Sequence, residues 1–265
     1  MTRETQEHSI KEREKPEKEV AQSAKESKSK GAERLHRSWK ALLATGFLGG
    51  IDISMGILPY LLVLETTGNH LLAGLAFSIA FVALYLAHAE LFTENFFYPV
   101  VSVFAGEGTW RDLVRLWFFT LVMNFIGGGL AIGLITLGFP ELHATLGESA
   151  QHFLGIGLSW QGAALAVLAG MMITLMTRMH AGSEHPVAII AASVAGGLVL
   201  AGGSLFHSVL DSVLIFGAIW AGQGDITLLD WLGWVWWVIP LNILGGVLLT
   251  TAPRVFRAVD ASRMS

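Results

Sequence analysis

Six apolar segments run through this chain, and two of them are too long to cross a membrane as one straight helix. The segments cover residues 40–64, 71–104, 111–138, 160–180, 186–220 and 231–253. A membrane-spanning helix needs about 20 residues at a rise of about 1.5 Å each. The second and fifth segments exceed that length, and each carries polar residues partway along. The pattern predicts an all-α membrane protein with six transmembrane helices, of which the second and fifth are interrupted.

The composition agrees with a membrane protein and excludes several kinds of site. The 265 residues are 53% hydrophobic and 14% charged, with a mean hydropathy of +0.57. An ordinary soluble domain has about 25% charged residues. The chain contains no cysteine, so disulfides and thiolate metal sites are excluded.

The N-terminal segment has a different character from the rest of the chain. Of the 17 Lys and Arg, 11 lie between Arg3 and Lys40. Residues 1–37 are highly charged and nearly free of large apolar side chains, so they bury too little surface to offset the entropy lost on ordering. We predict a disordered charged cytoplasmic tail over residues 1–37, with a specific docking arm as the alternative.

The remaining basic residues predict the orientation. If the N-terminus is cytoplasmic, they all lie in or beside cytoplasmic segments: Arg111, Arg115, Arg178, Arg254, Arg257 and Arg263. The opposite loops, near 65–70, 139–159 and 221–230, contain no Lys or Arg. The positive-inside rule then predicts a multi-pass protein of the cytoplasmic (inner) membrane. Both termini are cytoplasmic in this prediction, including a C-terminal tail over residues 257–265.

Two internal similarities suggest that the membrane region, residues 38–256, is built from two copies. The stretch at 123–133 reads MNFIGGGLAIG and resembles LNILGGVLLT at 241–250, an offset of 118 residues (242 − 124). ELFTEN at 90–95 resembles SLFHSV at 204–209, an offset of 114 residues (205 − 91). Copies of three spans each must enter the membrane from opposite sides, which predicts inverted repeats.

The copies correspond to residues 40–138 and 160–256. The polar stretches AHAELFTE and LFHSV fall inside the two overlong spans at equivalent places. Irregular backbone survives in a membrane only where it is buried in protein or lines a wet cavity. Paired interruptions therefore predict a transport path near the middle of the bilayer.

These motifs together resemble the formate/nitrite transporter family: AELFT in an interrupted second span, LFHSV in the fifth, and Asn-x-x-Gly-Gly in the third and sixth. The resemblance implies an aquaporin-like fold, a homo-pentamer with one pore per protomer, and passage of small monovalent anions or their weak acids. It also implies pore and substrate positions at Leu91, Phe92, Thr93 and His207, and apolar constrictions at Phe77, Phe81, Phe92 and Leu200. The chain departs from the family pattern because Phe206 replaces an acidic residue and no lysine precedes the fourth span.

The histidine suits the predicted chemistry. An imidazole has a reference pKa near 6.5, so His207 could give a proton or a hydrogen bond to a carboxylate-sized anion. Uptake of a weak acid would then rise as the external pH falls through the histidine's pKa. Asp211 lies four residues on, and the sequence predicts that it faces the ring on one helix face. Thr93 can both donate and accept hydrogen bonds in the partner interruption.

Other polar residues receive structural interpretations. We predict that Glu90 is a packing partner at the interruption, and that Asn124 and Asn242 make close hydrogen-bonded helix contacts. Asp52 and Arg178, in the first and fourth spans, are candidates for a buried ion pair, and the sequence leaves their roles open. We expect no metal, no cofactor and no nucleic-acid partner; the expected partners are membrane lipid, the substrate and other copies of the chain.

Two other classes of function were weighed. An aquaporin-like channel for small neutral solutes shares the architecture, but neither interruption carries an Asn-Pro-Ala signature. A membrane-embedded enzyme would need a nucleophile and a base at an informative spacing, and none is present. We therefore predict a channel or transporter and not an enzyme.

Overall fold

The computed structural model describes residues 22–257, and helices make up most of them. In chain order they are residues 22–35 (α1), Trp39–Thr67 (α2), His70–Phe77 (α3), Ile79–Leu86 (α4), Tyr98–Phe104 (α5), Trp110–Gly138 (α6), His143–Ile156 (α7), Trp160–Ala181 (α8), Pro186–Gly202 (α9), Leu210–Trp220 (α10) and Leu228–Ile243 (α11). Helix α11 continues through a π-helical stretch, Leu244–Thr251, to Arg257. Within the described residues, α2, α6, α8 and the extended α11 are long and apolar enough to cross a membrane.

Polar caps set where the long helices begin. Thr109 and Asp112 form a capping box at the start of α6, and Thr227 and Asp230 form the same box at the start of α11. Ser159 Oγ accepts a hydrogen bond from the Gly162 N–H at the start of α8. Each cap satisfies N–H groups that have no partner inside the helix.

The two overlong apolar segments are interrupted where the sequence predicted. The segment 71–104 contains α3, α4 and α5, with residues 87–91 outside any helix and a 3₁₀ turn at Phe92–Phe96. The segment 186–220 contains α9 and α10, separated by the non-helical residues 203–209. The short helices on either side of each interruption therefore replace one straight crossing.

Packing between helices leaves an apolar exterior. Helix α2 packs along α6, α8 packs along the continuation of α11, and α3 packs against α9. The outer faces carry large apolar side chains in contact with solvent in the isolated chain, such as Leu134 and Leu137 on α6. Exposed apolar side chains on long helices are the surface that lipid or another subunit covers.

The N-terminal segment differs from the expected disordered tail. Residues 22–35 are helical, Leu35 is fully buried, and the Ser102 hydroxyl donates to the Lys28 carbonyl at 2.6 Å. Gly31 lets α1 lie directly against the Tyr98 backbone, where a Cβ would overlap it. The docking-arm alternative therefore describes this part better. The rest of that tail, residues 1–21, and residues 258–265 of the C-terminal tail lie outside the described residues.

A second helix was not expected from the sequence. The apolar pattern predicts a loop over residues 139–159, yet they contain α7. Leu146, Ala150 and Phe153 recur at helical spacing and are buried. This amphipathic period is the sequence signal for α7, which is too short to stand out as a long apolar segment.

Candidate functional site

The two interruptions touch through one buried side-chain hydrogen bond. Thr93 lies in the 3₁₀ turn of the first interruption, and His207 lies in the second. Thr93 Oγ1 is 2.8 Å from His207 Nε2, and both residues are fully buried. The structure therefore brings together the two polar residues that the sequence selected in separate halves of the chain.

Main-chain N–H groups determine which ring nitrogen of His207 carries the proton. Nδ1 accepts from the Leu210 N–H at 3.0 Å and from the Val209 N–H at 3.3 Å. A nitrogen that accepts these bonds has no proton, so the neutral ring carries its hydrogen on Nε2. Nε2–H then donates to Thr93 Oγ1, so the Thr93 hydroxyl hydrogen is not used in this bond.

Asp211 contacts the backbone of His207 and not its ring. Asp211 Oδ2 accepts from the His207 main-chain N–H at 2.8 Å. The prediction that Asp211 faces the ring assumed that both residues share a helix, but α10 begins only at Leu210. The carboxylate lies in the first turn of α10 and holds the main chain that leads into the helix, a position where negative charge is favourable.

Asn124 joins the first interruption to α2 and α6. Its Nδ2 donates to the carbonyls of Gly46 at 2.7 Å and Glu90 at 2.9 Å, and its Oδ1 accepts from the Phe92 N–H at 2.8 Å. The Glu90 carbonyl and the Phe92 N–H are backbone groups that the interruption leaves without a helical partner, whereas Gly46 lies inside α2. One buried side chain thus satisfies two such groups in a place where water is scarce, and ties them to the neighbouring helix.

Asn242 makes the same set of bonds in the second interruption. Its Nδ2 donates to the carbonyls of Ala166 at 2.7 Å and Phe206 at 2.9 Å, and its Oδ1 accepts from the Ser208 N–H at 2.9 Å. Both asparagines therefore make the hydrogen-bonded helix contacts that the sequence interpretation gave them.

Glycines let the neighbouring helices come close enough for these bonds. A Cβ on Gly50 would overlap the Asn124 carbonyl oxygen, and a Cβ on Gly170 would overlap the Asn242 carbonyl oxygen. A larger side chain at either place would push apart the helices that carry the asparagines.

A cavity of about 390 Å³ lies on the side of the molecule that carries α1, hereafter the α1 face. Its charged and polar lining includes Lys30, Glu33, Arg34, Arg37, His88, Glu90, Glu94 and His180. Glu90 Oε1 lies 2.7 Å from Arg37 Nη1 and 3.1 Å from Arg34 Nε. Glu90 was predicted as a packing partner at the interruption; its carboxylate instead pairs with two arginines that the sequence interpretation assigned to a solvated tail.

The environment of Arg34 keeps it charged. Burial disfavours the guanidinium charge, but the nearby Glu90 and Glu94 carboxylates outweigh that effect and raise the pKa of Arg34. Arg34 Nη1 also donates to Asn95 Oδ1 at 2.9 Å. Sequence reasoning missed this cluster because the charge density of residues 1–37 hides the buried Leu35 beside it.

A second cavity, of about 560 Å³, lies at the opposite face. Its polar lining includes Tyr60, Glu65, His70, Thr145, Glu148, Ser149, His152 and Ser204. The Thr145 hydroxyl donates to the Glu65 carboxylate. Burial, with a smaller effect of nearby His70, lowers the pKa of His152. This face carries the carboxylates of Glu65 and Glu148 together with two histidines, His70 and His152.

The residues assigned to apolar constrictions are all buried. Phe77 and Phe81 pack edge to face with ring centroids 5.3 Å apart, and Leu200 is fully buried. Phe92 packs in the same manner against Phe96 at 5.0 Å. Their burial and mutual packing agree with rigid apolar walls; their place along a pore stays a prediction.

No ion pair forms between Asp52 and Arg178. Asp52 Oδ2 is buried without a hydrogen-bond partner, and Arg254 and Arg257 lie near enough to Arg178 to repel its charge. The reason is depth: Asp52 lies midway along α2, whereas Arg178 lies in the last turn of α8.

Broken apolar segments that meet at a buried polar pair, within a bundle of membrane-length helices, are the architecture of a membrane transport protein. The family model described as formate/nitrite transporter matches residues 21–256. The chain therefore belongs to the formate/nitrite transporter family, whose members are transport proteins and not enzymes.

Individual relatives are distant in sequence. The chain is 27% identical over 238 residues to the inner membrane protein YfdC of Escherichia coli (strain K12), a match covering 83% of this chain and 72% of that protein. It is 29% identical over 152 residues to the formate channel BtFdhC of Bacillus thuringiensis, covering 49% of this chain and 58% of that protein.

Solved structures share the fold. An FNT family ion channel superposes with a TM-score of 0.74 at 18% identity, covering 90% of this chain and 98% of that one. A pentameric formate channel with formate bound superposes with a TM-score of 0.67 at 20% identity, covering 80% of this chain and 96% of that one.

Proposed function

We propose that this chain forms a channel for small monovalent anions or their weak acids, with formate as the first candidate. The observation that carries the proposal is the buried hydrogen-bonded pair of His207 and Thr93 between the two interruptions. One relative and one structural neighbour are formate channels, which supports this substrate class.

The pair has the chemistry that a small anion requires. A bare anion at the middle of a bilayer costs several kcal/mol or more, unless donors replace the water it leaves. His207 Nε2–H and the Thr93 hydroxyl are both donors, and the Asp211 carboxylate is held at the backbone away from the ring. The site therefore favours ligands that accept hydrogen bonds.

In this proposal His207 acts as a neutral donor and not as a cation. A second proton on Nδ1 would remove the two bonds from Val209 and Leu210, at about 1 kcal/mol each, before the cost of burying a charge. The pH dependence of flux should therefore follow the acidity of the substrate. This replaces the sequence-based expectation of an inflection at the histidine's own pKa.

We infer that residues 40–138 and 160–256 are inverted repeats, with a register that differs from the predicted one. Asn124 bonds the Glu90 carbonyl and the Phe92 N–H in the first half. Asn242 bonds the Phe206 carbonyl and the Ser208 N–H in the second half. Both pairs support an offset of 116 residues (206 − 90 and 208 − 92), and not 114. In this register His207 corresponds to Leu91, so the two halves contribute different chemistry.

We further propose a homo-pentamer in the cytoplasmic membrane, with the α1 face in the cytoplasm. One relative is an inner membrane protein and one structural neighbour is a pentameric formate channel, which supports this location and assembly. Because the chain has no cysteine, Glu141→Cys and Glu184→Cys give single labels in exposed positions on opposite faces. We expect only the label at 141 to react from outside, and native mass measurement to give five copies.

Formate flux into proteoliposomes at two pH values tests the function. An anion channel gives saturable formate uptake that increases as the pH falls. The alternative, a channel for neutral solutes, gives osmotic swelling without anion dependence and would reject the proposal.

A further inference from the structure

Two guanidinium groups converge on one internal carboxylate at the α1 face. Arg37 Nη1 and Arg34 Nε both approach the same oxygen of Glu90, at 2.7 and 3.1 Å. The Glu90 side chain is 2% exposed, while each arginine side chain keeps 19% of its surface exposed. The arginines therefore form the accessible side of the cluster, within the cavity of about 390 Å³ on this face.

The contact between Glu90 and the arginines is an ion pair of imperfect geometry. Neither carboxylate oxygen of Glu90 has a well-aligned hydrogen bond, although both oxygens are buried. Arginine binds carboxylates best through two parallel N–H···O bonds, and this arrangement lacks them. A free carboxylate, which can choose its own position, could satisfy the guanidinium groups better than the tethered one does.

Further donors point to the same ligand class. Each guanidinium has five N–H groups, and the bonds to Asn95 and Thr45 occupy only part of them. Lys30 lines the same cavity and adds a third cation. Glu33 and Glu94 also line the cavity, so its positive and negative charges are balanced. An anion would therefore bind by replacing the Glu90 carboxylate at the guanidinium groups, and not through a large positive field.

We propose that Arg34 and Arg37 form a binding site for a small monocarboxylate at the α1 face, and that the Glu90 side chain is its internal competitor. The proposal rests on the proposed anion transport. It adds a saturable site to one face, and it makes the half-saturating substrate concentration different for flux from the two faces.

The test measures half-saturating formate concentrations separately for flux from the α1 face and from the opposite face, in vesicles of known sidedness. Arg37→Gln removes one arm of the site and should raise the half-saturating concentration from the α1 face about three- to tenfold, a smaller effect than a fully buried charged contact gives because Arg37 is partly exposed to water. The value from the opposite face should not change.

Lys28→Gln is the matched control. It removes the same charge from the same face and breaks the other ion pair of this segment, between Lys28 and Glu107 at 2.6 Å, outside the cavity. It should leave both values unchanged. An equal effect of Lys28→Gln and Arg37→Gln would show that looser docking of α1 is the cause, and would overturn the proposal.

Glu90→Gln should shift the half-saturating formate concentration in the direction opposite to Arg37→Gln. The amide keeps the shape but not the charge, so formate competes more easily and the half-saturating concentration from the α1 face should fall. Unchanged values in both Arg37→Gln and Glu90→Gln, with normal flux, would reject the site but not the channel. Absence of formate flux in the unmodified protein would reject the proposed function itself. If Glu90→Gln does not fold, the comparison of Arg37→Gln with Lys28→Gln decides alone.

Discussion

Replacing Thr93 by valine tests the central pair most directly. Valine nearly preserves the shape of threonine but has no hydroxyl, so the change removes one donor and also the acceptor of His207 Nε2–H. The ring should stay in place, because Nδ1 is still held by two main-chain N–H groups. We therefore expect a folded protein with a weakened site.

The size of the effect follows from the lost hydrogen bond. A bond between a neutral donor and a charged ligand contributes about 1.5–3 kcal/mol. Each 1.4 kcal/mol is a factor of about ten, so formate flux below saturation should fall about 10- to 150-fold in Thr93→Val. If Thr93 served only to fill space, the flux of Thr93→Val would change far less, since valine fills the same space.

The assay is formate uptake into proteoliposomes, with Thr93→Ser as the control that keeps the hydroxyl. The serine variant should retain most of the flux, and thermal unfolding in detergent should show that both variants fold. A folded Thr93→Val protein with unmodified flux would refute the donor role of the pair. An additional inflection near the reference histidine pKa of about 6.5 would refute the neutral state of His207.

Three further changes probe the surroundings of the site. Asn242→Ala leaves the Phe206 carbonyl and the Ser208 N–H without partners, so we expect it to lower stability by about 2 kcal/mol or more, measured by thermal unfolding. Gly170→Ala places a methyl group on the Asn242 carbonyl and should cost about 1–3 kcal/mol, whereas Gly155→Ala meets no atom within 4 Å and should be neutral. Burial lowers the pKa of His152, so its positive charge appears only in acid. His152→Gln should therefore modestly reduce uptake in acid, because a positive charge that attracts anions to this face is lost, and leave uptake at neutral pH unchanged.

The amino-acid sequence alone determined the long apolar segments of this protein and where two of them break, but not the helices α1 and α7. Long apolar runs must become helices in a membrane, because lipid offers no hydrogen-bond partner to the backbone. The polar stretches around Thr93 and His207 marked the interruptions for the same reason, and the structure shows both. These features are local, so composition and length were enough to find them.

Only the tertiary structure decided how the polar groups are used. The proton position on His207 depends on main-chain N–H groups that approach only when residues 203–209 leave the helix. The contact of Glu90 with Arg34 and Arg37 depends on the docking of α1 from over 50 residues away in the chain. Asp52 and Arg178 looked paired in the sequence and lie at different depths in the fold. Long-range packing determines which groups become partners. The hydropathy of a segment indicates that the segment is buried, but not which groups its side chains contact.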